Sequence, residues 1–488
     1  MPDRGNPLTL YNSLTRRVEE FAPIDPQQVR IYTCGPTVYA YPHIGNLRAY
    51  LLSDTLSRAL RWKGYPVRKV VNITDVGHLV ADADEGEDKM ETAARQASES
   101  VFDIARRYEA AFHADLAKLR ILPADEYPRA SDWVPQMIDF AQQLEARGYA
   151  YRLPSGLYFD TSRSPGYGRL GMIKVEEQMA GARVQQVEGK RHQNDFALWR
   201  TEAPGSRRLI RWESPWGWGA PGWHLECSVM SISLLGAHFD IHTGGVDHRE
   251  LHHVNEIAQS EAYLDDGQEW VNYWLHGEFL TIRDAKMAKS AQTGLRLVDL
   301  EASGVAPAAY RLMLLMAHYR TQVDYSLEAA KAASTTLRRL RQRVSQFGPL
   351  PEITTYASAR QQLPSEGEAA DALHRLDSAI SDDLATPQVV AVLHDVLRST
   401  TMPLPQQAVL VGAMEHLLAL GLDQPDEQLG AALSAGEVAR IEAQVEERNR
   451  ARAVGDWATA DSIRQDLAAR GITLHDSAEG TTWEPADA

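Results

Sequence analysis

The chain has only two cysteines, Cys34 and Cys227, far apart in sequence and each set inside a distinctive motif rather than a neutral core strand. Downstream lies Leu251-His252-His253-Val254-Asn255-Glu256. A helix through that stretch puts His252 and Glu256 on one face, because residues four apart are stacked neighbours, and turns His253 about 100° away. Two thiolates, one imidazole and one carboxylate form a donor set suited to zinc. A local zinc finger would carry its cysteines a few residues apart, so this spacing calls for a site closed by tertiary folding, and such a site can hold a substrate. On the cysteine count alone, a pair of buried structural thiols is an equal alternative.

Two further stretches are suited to phosphate. His43-Ile44-Gly45-Asn46 opens a helix directly after a strand and loop. Backbone N–H groups at a helix N-terminus bind phosphate, Gly45 permits close approach of a nucleotide, and His43 can donate to phosphate oxygens. Lys286-Met287-Ala288-Lys289-Ser290 stands behind the apolar run Phe279-Leu280-Thr281-Ile282. Two ammonium groups on a loop can stabilise the charge of an in-line displacement on ATP. Taken singly, the first is a helix cap and the second a solvated turn. Their order, with Gly244-Gly245-Val246-Asp247 between them, gives both more weight.

The elements that must position these groups begin with a strand over Val29–Thr33, broken by Cys34-Gly35-Pro36. A helix follows, with Leu47, Leu51, Leu56 and Leu60 at near-helical spacing and Gly64 at its end. Val67–Ile73 then reads as a second strand. This is the βαβ start of a doubly wound parallel sheet, whose ligand chemistry lies at the strand ends. Between about Ala124 and Ser206 the pattern shifts to a helix near Trp133–Gly148 and a hairpin around Pro154-Ser155-Gly156, which reads as an insertion. Sheet-like patterning resumes after Pro221, with a strand through His238–His242 ending in Thr243-Gly244-Gly245. From about Pro307 helical periodicity dominates, broken at Gly348–Pro351, Thr386-Pro387 and Gln424-Pro425. The expected architecture is α/β: a Rossmann-like doubly wound parallel sheet split by an insertion, followed by all-α C-terminal domains. The expected boundaries are 1–123 and 207–285 for the two halves of the sheet domain, 124–206 for the insertion, 286–345 for the lysine loop and a helical region after it, 346–425 for a helical bundle, and 426–488 for a C-terminal domain.

With 488 residues, 44% of them hydrophobic and 24% charged, the chain has the composition of a globular protein with a large core. Met1–Leu10 carries no signal-like apolar run, and no stretch approaches the roughly 18 uninterrupted apolar residues of a membrane span. The expectation is a cytoplasmic protein with no membrane partner. A net charge of −16 argues against broad coating of nucleic acid, yet binding responds to local basic surfaces; Leu337–Arg343 could be one, and reads equally as a solvated helix face.

The order of the three motifs resembles the class I aminoacyl-tRNA synthetases, whose signatures read HIGH and KMSKS, and within them the cysteinyl-tRNA synthetase family. Tyr32–Tyr39, Asn72–Asp75, Lys190-Arg191 with Asp195–Trp199, Pro221–Ser228 and His252–Ser260 all look like that family's motifs. So do His318-Tyr319-Arg320, Asp382–Pro387, Arg452 through Trp457, and Gly480–Trp483. The resemblance covers almost the whole chain. It implies that Cys34, Cys227, His252 and Glu256 bind one zinc ion, to which the substrate thiolate coordinates. It implies further that Gly35, Thr74, Trp223 and His224 contact the cysteine, and that Gly244, Gly245 and Asp247 hold the ribose. His43, Gly45, Asn46, Lys286 and Lys289 would handle ATP, accompanied by Mg²⁺, and Arg452, Trp457, Asp461 and Asp476 would read the anticodon. The partners implied are ATP, L-cysteine and tRNA(Cys), with the enzyme a monomer. Trp457 taken alone reads as the core of a helical hairpin.

Zinc suits this task because cysteine and serine differ by one atom. Pockets separate near-isosteres weakly, whereas a soft metal favours a thiolate over a hydroxyl. Four protein ligands plus a substrate exceed the usual three and an open position, so either Glu256 is the loosest ligand or the site becomes five-coordinate. The chain departs from the usual family pattern at Asn46, Ala288, Val254 and Ala220; these bear on rate rather than on reaction type. Two other readings are a cysteine ligase acting on an amino-sugar, which would need no anticodon domain, and a non-catalytic RNA-binding paralogue, which would be expected to have eroded ligands.

Overall fold

The computed structural model describes residues 3–76, 100–171, 188–203, 205, 209–282, 294–424, 435–453, 455–469, 472–477 and 480–485. It divides into two compact units, Met1–Leu422 and Asp423–Ala488.

The first unit opens with an antiparallel pair, β1 (Thr9–Asn12) and β2 (Arg17–Glu20), and continues into β3 (Val29–Thr33), α1 (Ile44–Trp62) and β4 (Val67–Val71). Next come α2 (Val101–Lys118) and α3 (Val134–Ala146), then the strands β5 (Ala150–Leu153), β6 (Gly156–Phe159), β7 (Phe196–Thr201) and β8 (Gly219–Pro221). These four form an antiparallel sheet in sequence order. Its last strand lies beyond residue 206. The chain then returns through α4 (Trp223–Leu235), β9 (Phe239–Gly245), α5 (Val246–Glu250), α6 (His252–Leu264) and β10 (Val271–Gly277).

β10, β9, β3 and β4 form one parallel sheet in that order. β3 is buried along nearly its whole length, as expected of a parallel strand covered on both faces. From β3 the chain winds toward β4, and from β9 it winds the other way to β10. Adjacent β3 and β9 therefore bracket a topological switch point, and the crevice beyond their C-terminal ends is where ligands bind in such sheets. Thr33 and Thr243 are in register across it with hydroxyls 2.8 Å apart, and Cys34 N donates to Thr243 O at 3.2 Å.

Among the described residues, the rest of the first unit is helical apart from one parallel pair, β11 (Leu280–Ile282) with β12 (Val323–Tyr325). Its helices are α7 (Leu297–Ala302), α8 (Pro307–Leu315), α9 (Leu327–Val344), α10 (Tyr356–Gln362), α11 (Glu368–Ser381), α12 (Thr386–Arg398) and α13 (Leu404–Leu418). Pro387 sits in the first turn of α12, where a missing N–H costs nothing. Three buried guanidinium groups bind the carbonyls at the end of α13. Arg58 donates to His416 O at 2.8 Å, Arg311 to Leu418 O at 2.6 Å, and Arg341 to Gly421 O at 2.9 Å. Asp54, fully buried, pairs with both Arg58 and Arg311. The basic stretch over 337–343 is thus partly structural: Arg341 faces inward, and Arg343 donates to Leu397 O.

The second unit packs α14 (Ala435–Ala453) and α15 (Trp457–Ala469) against an antiparallel hairpin, β13 (Ile472–Ser477) and β14 (Gly480–Pro485). Its core holds Ile441, Val445, Ile463, Leu467, Ile472 and Leu474. The hairpin is an addition to the helical C-terminal region expected from the sequence, and it forms because Ile472 and Leu474 alternate inward on a strand.

Candidate active site and metal centre

A cavity of about 760 Å³ opens at the switch point, within the range of small-molecule sites. Its wall includes Cys34, Gly35, His43, Gly45, Asn46, Asn72, Trp223, Cys227, Gly245, Asp247, His248 and His252. Cys34 follows β3 directly, Cys227 lies on α4, and His252 and Glu256 are one turn apart on α6. The ligand atoms of these four residues lie within 4.8 Å of one another, and all four are buried. Gly35 is required by packing: a Cβ there would sit 1.4 Å from the Asn72 carbonyl oxygen. Asn72 Oδ1 accepts from Gly35 N at 2.8 Å, which ties the loop after β3 to the end of β4.

The donors are electrically coupled. Burial, then Cys227 and Glu256, push the Cys34 thiol well up. Burial pushes Cys227 the same way, but hydrogen bonds from Cys34 and His252 outweigh it and bring the thiol down to about 6. Burial opposes the His252 imidazolium, yet Glu256 and Cys227 carry it up to about 10. The Glu256 carboxyl is held down to about 2: burial opposes ionisation, but His252 and His242 favour it more strongly. Glu256 meets His252 Nε2 at 2.8 Å and His242 Nε2 at 2.9 Å. Two sulfur donors, an imidazole and a carboxylate converging in a dry site match the chemistry of zinc.

A second set, Cys34, His242, His253 and Glu256, is equally compact. His253 Nε2 is 3.2 Å from Cys34 Sγ, and its Nδ1 meets His276 at 2.8 Å. Neither His242 nor His253 lines the cavity, whereas Cys34, Cys227 and His252 do. The first set thus puts three of its donors on the cavity wall and the second only the shared Cys34, so the first is the better placed to meet a ligand there.

Also on the cavity wall, His43 and Asn46 form a reciprocal cap on α1. Asn46 N donates to His43 Nδ1 and His43 N donates to Asn46 Oδ1, both at 3.2 Å. The departure at position 46 therefore supplies a capping partner. Burial lowers the His43 pKa. Two expected contacts lie one layer back. Thr74 donates to Glu226 at 2.7 Å and faces Asn72, and His224 meets His252 Nδ1 at 3.0 Å and Asn255 Nδ2 at 3.0 Å. Neither lines the cavity, where Asn72 and the His252 ring stand in front of them. Gly244 likewise sits behind Gly245 and Asp247. Lys286 and Lys289 lie outside the described residues.

In the second unit Trp457 is 61% exposed and Asp461 is exposed, while Arg452 is half-buried. Trp457 is not the hairpin core. Asp476 pairs with Thr481 in the β13–β14 register. Sequence reasoning missed Asn72, His242, Asn255, His276 and His248. The first four are joined to the site by contacts between different elements; Asn72 and Asn255 lie within the recognised stretches 72–75 and 252–260 without a sign of what they touch, and the histidine-rich stretch 248–253 gave the signal for His248.

Residues 20–335 match the family described as tRNA synthetases class I (C) catalytic domain. The same fold is seen in the solved structure of Mycobacterium tuberculosis methionyl-tRNA synthetase in complex with methionyl-adenylate, at a TM-score of 0.53 and 17% identity, over 81% of this chain and 90% of that one. Fold and site thus define a class I aminoacyl-tRNA synthetase. Residues 435–483 match the Cysteinyl-tRNA ligase anticodon binding domain. The chain is 42% identical to the cysteine–tRNA ligase of Zymomonas mobilis over 98% of both chains, and 45% identical to that of Novosphingobium aromaticivorans over 98% of this chain and 97% of that one. The chain belongs to the cysteine–tRNA ligase family. The match of the C-terminal unit favours neither the amino-sugar ligase nor the non-catalytic paralogue. Among the described residues, no helix is long and apolar enough to cross a membrane.

Proposed function

We propose that this cysteine–tRNA ligase selects its amino acid through one zinc ion held by Cys34, Cys227, His252 and Glu256. The observation that carries the reading is the convergence of these four donors beside a cavity that also bears His43 and Asp247. When bound, zinc supplies a soft Lewis acid that favours a thiolate over the hydroxyl of serine.

The chain's own residues do the rest by positioning. Gly35 leaves room beside Asn72, and Trp223, whose ring stacks on His252 at 4.1 Å, closes one side of the amino-acid site. Thr74 and His224 act from behind, holding Glu226 and the His252 ring. Asp247 accepts from the ribose hydroxyls beside Gly244 and Gly245. His43, Gly45 and Asn46 at the start of α1, with Lys286 and Lys289, stabilise the phosphates of Mg²⁺–ATP. In the first step the cysteine carboxylate attacks the α-phosphate and pyrophosphate leaves. In the second the terminal ribose hydroxyl of tRNA(Cys) attacks the adenylate carbonyl and AMP leaves. Arg452, Trp457, Asp461 and Asp476 read the anticodon by stacking and hydrogen bonding. The reading includes the division of the first unit at about residues 123, 285 and 345, with the insertion extended past residue 206 to take in β8 (Gly219–Pro221), and a monomer in the cytoplasm.

The test is aminoacylation of tRNA(Cys) with cysteine and with serine, alongside metal analysis, for the parent and Cys227→Ser. Lost metal and lost preference for cysteine in the variant are expected. Unchanged zinc content with unchanged preference would refute the metal's role.

A further inference from the structure

His248 is on the cavity wall with Asp247, its neighbour in the chain, and with His252, against whose ring its own ring packs. Its ring lies 5.4 Å from that of His252, 5.5 Å from that of His253 and 5.9 Å from that of Trp223. It is wedged against Gly244, where an added Cβ would come within 2.9 Å of His248 Nδ1. That nitrogen is buried and has no hydrogen-bond partner among the described residues. A neutral imidazole carries one proton, and a buried N–H is seldom left unpaired because its full desolvation cost is then unrecovered. The proton therefore belongs on Nε2, the ring nitrogen left for the cavity. Packing on three aromatic rings and on a glycine fixes the direction of that donor in advance.

Its location decides what the donor meets. The ribose is held on one side, at Asp247, and the amino-acid side chain on the other, at His252. The atoms that join the two halves of an aminoacyl-adenylate must cross the wall between them. We propose that His248 is a further substrate-positioning residue, its Nε2–H donating to the oxygens of the acyl-phosphate as the cysteine carboxylate joins the α-phosphate. The inference rests on the adenylate-forming reading above. In this step a carboxylate oxygen–phosphorus bond forms, the bond from the α-phosphorus to pyrophosphate breaks, and His248 keeps its proton throughout. A fixed neutral donor aimed at developing charge needs no reorganisation at the moment of reaction.

The experiment compares the parent with His248→Leu and His248→Gln in the full-length, metal-loaded enzyme. The readouts are cysteine-dependent exchange of pyrophosphate into ATP, metal content, and calorimetric affinity for the non-hydrolysable analogue 5′-O-(N-cysteinylsulfamoyl)adenosine. For His248→Leu, kcat of exchange falls about 100-fold and analogue affinity falls in step, as for loss of one preorganised donor. Metal content and KM for ATP stay at parental values. His248→Gln, which returns an N–H donor, recovers part of both losses. Should the Leu variant fail to accumulate, His248→Met removes the donor in the same way. Parental exchange and parental analogue affinity in a donor-free variant would overturn the proposal. So would losses shared equally by metal content and ATP binding, with no recovery in the Gln variant. A parent that did not exchange pyrophosphate at all would instead overturn the underlying reading.

Discussion

Substituting His224 by leucine removes a residue that does not line the cavity, yet it is expected to weaken metal binding strongly. His224 is the middle member of a buried relay. Tyr167 OH donates to Asn255 Oδ1 at 2.6 Å, Asn255 Nδ2 meets His224 Nε2 at 3.0 Å, and His224 Nδ1 meets His252 Nδ1 at 3.0 Å. When His252 gives Nε2 to a metal, its Nδ1 must carry the proton and donate to His224 Nδ1. The proton of His224 then sits on Nε2, and Asn255 must turn its oxygen toward it. Leucine breaks this chain at the ligand itself. The loss is one buried hydrogen bond that orients a metal-bound imidazole, about 1.4–2.8 kcal/mol, or 10- to 100-fold in metal affinity. Competition with a chromophoric chelator at fixed pH measures it. Asn255→Asp is the companion variant: its carboxylate can only accept, as the metal-bound relay requires, so affinity is expected to equal or exceed that of the parent. A dissociation constant for His224→Leu within twofold of the parent would refute the relay.

Asp54→Asn leaves Arg58 and Arg311 without their shared buried carboxylate; a loss of about 3–5 kcal/mol is expected for the first unit, read as faster amide hydrogen exchange around α1 and α13. Burial, with Arg58 nearby, lowers the His416 pKa to about 4. The unfolded chain therefore takes up a proton near pH 6.5 that the folded one refuses until pH 4, and stability falls across that window as pH drops, by at most about 3 kcal/mol. His416→Leu should flatten the fall in Tm between pH 6.5 and 4, and an unchanged slope would exclude His416 as its source. Trp457→Ala, at an exposed position outside the core of its unit, should leave Tm and pyrophosphate exchange at parental values while raising KM for tRNA(Cys). Charging at the parental KM would remove Trp457 from RNA contact.

Much of the catalytic architecture was legible because it is local. The strand–loop–helix around Cys34 and His43, the glycines after β9 and the i, i+4 pair on α6 each follow from periodicity and turn chemistry within a short window. The second layer was not legible, because it consists of contacts between elements remote in sequence. Nothing near Asn72 announces that it will receive Gly35 N, and nothing near Ser13 announces its bond to His276. Arg341 shows the converse. In sequence it belongs to a basic helix suited to RNA, and only the fold reveals that backbone carbonyls at the end of α13 take up its guanidinium. Trp457 was misread in isolation for a similar reason: a large aromatic after a helix break suggests a core, but the aliphatic residues of α14, α15 and β13 fill that core without it.

Helix α1 has a mechanical consequence. It begins at the reciprocal His43–Asn46 cap on the cavity, is buried along nearly all of its length, and carries Arg58 into the carbonyls of Arg120 and His416 near its other end. At 1.5 Å per residue, His43 and Arg58 are about 22 Å apart along the axis. Gripped on every side, the helix behaves as a stiff strut. The cap on the cavity is therefore held in a fixed place relative to the end of α13, so that the first turn of α1 is already set in position on the cavity wall rather than assembled around a ligand.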